Sequence, residues 1–256
     1  MKRYFLLFCW SVILLVTANK GEAQELKSGY YPDGKIRYKG YFKDGKPVGE
    51  LMRYYQEGCL QAKMNYQGDT VKAVLYSRDG KYFSSGQYIC REKMGKWEYW
   101  KEDCLLMSEE YRHHLLHGKS IRYGSNGCPM EQKHWQDGQL EGEWCLYYPD
   151  GKVRLQAFYV AGSLEGMLTA YSRDGKIRTK GRYKANLKEG EWVYYNGEGN
   201  LLKKQVYYSG VPENAGEQEL EESHKLDSLI HAGKKIPDPA IFIDDPEAYM
   251  RMTEME

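Results

Sequence analysis

The chain has 256 residues, a formal net charge of +1, 41% hydrophobic residues and 29% charged ones. That balance excludes a strongly basic chain drawn to nucleic acid, and the 14% of aromatic residues argue against disorder. Tyr is the commonest ring at 24, and 27 Gly against 8 Pro point to strands joined by glycine turns.

At the N-terminus, Lys2 and Arg3 precede an undivided apolar stretch from Tyr4 to Val16, and small residues follow at Gly21-Glu22-Ala23. This is the pattern of a signal peptide over residues 1–23, with cleavage expected before Gln24 and an exported, periplasmic or secreted product. The stretch is shorter than the roughly 20 residues a membrane helix needs. A buried N-terminal helix is the competing reading. Cys59, Cys90, Cys104, Cys128 and Cys145 remain after cleavage, an odd number whose spacing fits neither a zinc knuckle nor a redox pair.

Beyond the leader the chain is periodic. Tyr30, Tyr54, Tyr76, Tyr99, Tyr123, Tyr147, Tyr171 and Tyr195 recur at intervals of 22 to 24 residues. Four positions after each comes a turn residue: Gly34, Gly58, Gly80, Gly127, Gly151, Gly175 and Gly199, with Asp103 as the exception. Twelve positions after the Tyr stands another ring, in Phe42, Tyr66, Tyr88, Tyr111, Trp135, Tyr159, Tyr183 and Tyr207. A second glycine follows at Gly49, Gly95, Gly118, Gly142, Gly166 and Gly190, with Ala73 standing in once. Two residues further lie Leu51, Leu75, Trp97, Ser120, Trp144, Leu168 and Trp192.

Between the turns, apolar and charged residues alternate, as in Ile36, Tyr38, Gly40 and Phe42 against Arg37, Lys39 and Lys43. A period of two means strands with one apolar and one wet face, so each repeat reads as two short strands and two turns. Asp-Gly is expected to form a tight hairpin, and a second turn centred between Gly45 and Gly49 would set Phe42 opposite Leu51, Tyr88 opposite Trp97 and Tyr183 opposite Trp192. Cross-strand pairs of this kind contribute only about 0.2–1 kcal/mol each, so hairpins must stack to survive. Equivalent cysteines of adjacent repeats would lie about 9.5 Å apart at roughly 4.8 Å per strand, too far for a Cys104–Cys128 disulfide.

Tyr147-Tyr148-Pro149-Asp150-Gly151-Lys152 and Gly190-Glu191-Trp192-Val193-Tyr194-Tyr195 resemble the MORN-variant repeat, across roughly residues 28–210. The resemblance implies an all-β repeat fold: an elongated, twisted, single-layer antiparallel sheet of stacked β-hairpins, with eight units over 24–210. Some members of that family are labelled antitoxins, a setting from which the expected signal peptide departs. A parallel β-helix and choline-binding repeats are the rival architectures, and the two glycine turns per period count against the first.

From Val211 to Glu256 the period stops and 12 acidic residues face 4 basic ones. Glu217 to His231 reads as a helix, Ile236 to Ile243 as a further strand, and the acidic tail as a cap for the last repeats.

His113, His114 and His117, with His134 in the next repeat, are the best metal-site candidates, although adjacent strand residues point to opposite faces. Gly118-Lys119-Ser120 lacks the helix that a phosphate loop requires, and no nucleophile elbow or zinc-protease helix is present. Asp244-Asp245 reads as solvated charge. No catalytic residue and no cofactor is expected. The leading expectation is a non-catalytic extracytoplasmic scaffold that binds another envelope or secreted protein, or a glycan, through rings, with no nucleic acid partner. A membrane-surface or envelope module using a basic face is the alternative, and an antitoxin-like or zinc-dependent role a further one.

Overall fold

A computed structural model describes residues 23–213, and the expected signal peptide, helix and acidic tail lie outside the described residues. Among the described residues every regular element is a strand. In chain order they are β1 (Glu25–Tyr30), β2 (Ile36–Lys43), β3 (Lys46–Tyr54), β4 (Leu60–Gln67), β5 (Thr70–Tyr76) and β6 (Tyr82–Ile89). Then come β7 (Glu92–Lys101), β8 (Cys104–Arg112), β9 (Leu115–Tyr123), β10 (Pro129–Gln136), β11 (Gln139–Tyr147) and β12 (Val153–Val160). The last six are β13 (Ser163–Leu164), β14 (Gly166–Tyr171), β15 (Ile177–Lys184), β16 (Leu187–Tyr195), β17 (Leu201–Tyr208) and β18 (Val211–Pro212). Apart from β13 and β14, which share β12 as partner, each strand pairs antiparallel with the next, giving one open sheet of stacked hairpins.

Two turn types alternate, and their chemistry sets the period. At the first, Gly34 N donates to Tyr31 O at 2.9 Å and Tyr31 N to Lys35 O at 2.8 Å, closing a three-residue Pro-Asp-Gly loop. Gly34 sits at φ +83°, which glycine adopts without a Cβ clash, and Asp33 Oδ1 accepts from Lys35 N. The tight two-residue turn lies at the opposite end, at Asp44-Gly45, where φ is +50° and +73° as a type I′ hairpin requires. Asp-Gly at the first turn therefore marks the longer loop.

This displaces the expected register. Phe42 faces Pro47, Tyr88 faces Lys93 and Tyr183 faces Lys188, because the tight turn is centred at 44–45 and not between Gly45 and Gly49. Gly49 instead opens a bulge at φ +63°, after which Leu51 pairs with Gly40. The irregular intervals have the same origin. β4 and β5 pair without a bulge, so the third Tyr arrives early and Ala73 takes Leu51's place, opposite Met64 and Gly86, instead of acting as the second glycine. Lys101 pairs with Cys104 across a shortened first turn, so Trp100 and not Tyr99 occupies the repeat-tyrosine position.

Paired residues then form one row across the sheet: Gly40, Leu51, Met64, Ala73, Gly86, followed by Trp97, Glu109, Ser120, Lys133, Trp144 and Ala157. Two buried clusters lie on it, one around Trp97, Tyr99, Met107 and Tyr111, the other around Trp144, Leu155, Leu168 and Trp192. Hydrogen bonds also join rung to rung at the turns. Gly162 N donates to Leu140 O, Asn186 N to Leu164 O and Gly210 N to Lys188 O at 2.8–3.1 Å. Ala161 N, Ala185 N and Ser209 N donate to the carboxylates of Glu141, Glu165 and Glu189 at 2.7–2.8 Å. At the other edge Tyr31, Tyr55 and Tyr148 hydroxyls donate to the carbonyls of Tyr54, Tyr76 and Tyr171.

Candidate functional site

A single-layer sheet has no second layer to cover its rings, yet Trp97, Trp144 and Trp192 are 0%, 1% and 0% exposed. Two devices achieve this. Each ring lies against its neighbours: Tyr88 against Trp97 at 5.0 Å, Tyr159 against Trp144 at 5.9 Å, and Tyr183 and Tyr207 against Trp192 at 5.1 and 6.1 Å. Lysine stems cover what remains. Lys93 Nζ stands 4.7 Å from the Trp97 ring centre and 4.6 Å from Tyr111, and Lys188 Nζ stands 5.0 Å from Trp192 and 5.3 Å from Tyr207. Both lysines are buried, held by ring faces that attract a cation while the stem packs on carbon. They occupy the position filled by Leu116, Leu140 and Leu164 in other repeats, a cation-for-leucine exchange that the sequence pattern displays and the ring-counting missed.

The remaining rings divide between two faces, which corrects the expectation of aromatic rows on one face only. Phe42 packs on Tyr38, the Tyr66 hydroxyl meets Met64 Sδ, and the Trp135 indole N–H donates to Ser120 Oγ at 2.7 Å, all on the face of Trp97. Tyr54, Tyr76 and Trp100 lie on the opposite face, where Phe83 touches Tyr76 at 6.1 Å and stacks on Trp100 at 5.9 Å and 4°. Tyr30, on the first strand, is 60% exposed. The cause is a bulge or shortened turn between successive ring positions, which shifts strand parity.

The ring row breaks in mid-sheet at Glu109, Ser120 and Lys133. Glu109 accepts the Tyr111 hydroxyl at 2.7 Å. Beside it Glu131 is 5% exposed, accepts the Trp144 indole N–H at 2.9 Å and pairs with Lys133 Nζ at 2.9 Å, with Arg122 Nε at 3.9 Å. Buried charges held in this way mark a structural network, in which Lys133 and the Trp144 indole are hydrogen-bonded to Glu131 and Arg122 is paired with it at ion-pair distance.

The opposite face carries the accessible surface. A shallow groove of about 380 Å³ is lined by Lys63, Lys72 and Lys96 with Asn65, Ser85 and Gln87. Glu50 pairs with Lys63 at 2.9 Å and Glu98 with Lys96 at 2.6 Å, so most of the basic charge is balanced. In the sixth repeat the same face is apolar: Phe158, Val160 and Met167 are 42%, 52% and 49% exposed. Positions equivalent to Phe158 hold Asn65, Gln87, Glu110, His134 and Arg182 in five other repeats, with Tyr41 in the first and Val206 in the last.

A model of the MORN repeat variant matches residues 27–44 and 140–161. The chain carries the MORN-variant repeat at these two stretches. Each matched stretch runs from a strand through a Pro-Asp-Gly turn to a tight turn, so the MORN unit here is the hairpin around the longer loop. No curated protein matches the sequence. MORN repeats are generally binding or protein–protein interaction modules and form a non-enzymatic repeat family.

The candidate histidines each meet a different partner in the stack. His113 and His114 are the two residues of a type I′ turn, at φ +49° and +66°. His113 Nδ1 contacts Glu92 Oε2 at 2.6 Å, His114 Nδ1 accepts from Lys93 N, and His117 Nδ1 accepts from Asp137 N at 3.4 Å. His117 thereby does for its rung what Glu141 and Glu165 do for theirs. Carboxylates absent from the sequence-level picture, Glu92 and Asp137, pair with these rings. Among the described residues, no group of three or more His, Cys, Asp or Glu is placed to hold a metal ion. The Arg112 guanidinium beside Asp137 holds that carboxyl below its ordinary range.

All five described cysteines are free thiols. Burial, with the charge of Glu143 nearby, pushes the Cys145 thiol up to about 11, and burial pushes the adjacent Tyr147 phenol up to about 12. The thiolate is the reactive form, so iodoacetamide at pH 8 modifies exposed Cys90 and Cys104 and leaves Cys145 unmodified until urea unfolds the stack. Mass spectrometry of the labelled peptides reads the outcome, and Cys145 labelling in step with Cys90 refutes it.

Proposed function

We propose that this protein is a non-catalytic scaffold that binds another protein of the cell envelope or medium, after export through the N-terminal leader. The observation carrying this reading is the exposed trio Phe158, Val160 and Met167, on a face where most repeats present charge or amide. The core does not need these side chains, since Leu155, Ala157 and Leu168 on the other face are already buried. Contiguous apolar side chains on a rigid, polar-rimmed sheet are the form of a protein-binding patch.

Substituting Phe158→Asp and Met167→Asp together lowers retention of the captured envelope or secreted partner about tenfold or more, a loss of roughly 1.4 kcal/mol. The melting temperature stays within the error of the parent. Capture unaffected by the double substitution overturns the assignment to this face. The lysine groove favours a second reading, attachment to an anionic lipid surface, where each Lys contributes about 1 kcal/mol at low screening. Vesicle binding that collapses on raising salt supports that reading, whereas retention through the apolar trio is indifferent to salt.

A further inference from the structure

The two ends of the stack differ, and they match each other. In the sixth repeat β12 pairs with β13 at Tyr159–Leu164 and Val160–Ser163, then with β14 at Leu155–Ala170 and Gln156–Thr169. In the last repeat β17 pairs with β18 in the register of β13, at Tyr207–Pro212 and Tyr208–Val211. Glu213 N then donates to Val206 O at 2.9 Å, as Glu165 N does to Phe158 O at 2.8 Å. Among the described residues, the place of β14 on β17 is not filled.

At the opposite end β1 has the form of β14. It has six residues, as β14 does, and ends on Tyr30 as β14 ends on Tyr171. It meets β2 through Lys27–Gly40 and Tyr30–Ile36, the register in which β14 meets β15 through Leu168–Gly181 and Tyr171–Ile177. Its outer edge has no strand beside it among the described residues.

The turn ladder repeats the match. The five tight turns from His113-His114 to Ser209-Gly210 each donate two N–H groups to the rung before, the last such pair being Gly210 to Lys188 O and Ser209 to Glu189. One rung further the acceptors are Pro212 O and the Glu213 carboxylate. The first tight turn, Asp44-Gly45, has the same positive φ values and no described rung before it. Apolar side chains also concentrate at both ends: Leu26 and Tyr30 on β1, and Leu201, Leu202, Tyr208 and Val211 at the last rung, are each more than half exposed. Uncovered strand edges flanked by apolar side chains are templates for strand addition.

We propose that the occupant of each edge is a second copy of this chain, β1 of one molecule filling the β14 place on β17 of the next. Ser28 and Gly29 then face Lys204 and Lys203, and Leu26 lies beside Val206. The Gly45 and Asp44 N–H groups of one molecule reach the Pro212 carbonyl and Glu213 carboxylate of its neighbour. Because the contact joins two different surfaces, it does not close at two copies, and assembly grows with concentration.

Sedimentation velocity of the chain from Gln24 to Glu256 over a wide concentration range tests this, with Leu26→Asp blocking one end and Val206→Asp the other. The parent forms a concentration-dependent series of oligomers, and each single variant weakens that association about tenfold or more. A mixture of the two variants restores a species of two chains and no larger one, because one functional interface survives; circular dichroism confirms that both variants are folded. A parent that stays monomeric at every concentration overturns the proposal. So does assembly that begins only after residues 214–256 are removed, which makes the chain's own tail the occupant, and so does a single variant that dimerises with itself, which makes the contact symmetric.

Discussion

Replacing Trp192 with Ala lowers the stability of the stack by about 3–5 kcal/mol. The indole is 0% exposed and lies across Gly181, where even a Cβ on that glycine would fall 2.1 Å from the ring. Tyr183 meets it edge-on at 5.1 Å and 88°, and its N–H donates to Arg182 O at 3.1 Å. Removing it deprives Lys188, itself 5% exposed, of the ring that holds its cation, and no second layer can move in to fill the space. In a stack where each rung contacts only its neighbours, the damage is local, so the rungs from β15 to β17 open before the Trp97 cluster does. Urea unfolding with amide exchange on both halves measures it. A loss below about 1 kcal/mol, the scale of an ordinary surface substitution, refutes the account of how the rings are covered.

Glu131→Ala carries a cost of similar size, about 3–5 kcal/mol, from a different cause. The carboxylate holds the Trp144 indole N–H and Lys133 Nζ, each at 2.9 Å, and lies 3.9 Å from Arg122 Nε. With it gone, Lys133, whose side chain is 12% exposed, keeps its charge without the partner that balances it. Glu131→Gln keeps an acceptor for the indole and loses the charge, so it falls between parent and Ala. Replacing Glu131 and Lys133 together by Leu recovers most of the loss, because well-packed apolar groups often equal or exceed a buried ion pair. Guanidinium unfolding of the variants decides it, and a double Leu variant weaker than Glu131→Ala rules out the ion-pair explanation.

Much of the fold was legible because its causes are local. Positive φ at Gly34, Gly58 and Gly151 and alternation in Ile36–Phe42 act within a few residues, so they print directly onto the sequence. The candidate site was less legible. The exposed trio in the sixth repeat is visible only when the wet-face columns are aligned: Met167 stands where Glu50, Lys96, Glu143 and Glu191 stand in other repeats, and Phe158 where most hold a charge or an amide. The histidines drew notice as a cluster, but adjacent turn residues diverge, and Glu92 and Asp137 reach them only from neighbouring rungs.

The amino-acid order alone established a repeating antiparallel hairpin with two turns per unit, and marked Trp97, Trp144 and Trp192 as its recurrent large rings. Only the tertiary structure decided the register, the faces and the covering of those rings. Trp100 displaces Tyr99 because one turn is shortened, and Ala73 replaces Leu51 because one bulge is missing. A change of one residue in a connection carries every following side chain to the other side of the sheet, and its consequence depends on partners 20 to 23 residues away along the chain. Lys93 and Lys188 lie buried for the same reason: their cations find ring faces only after the neighbouring rungs have docked.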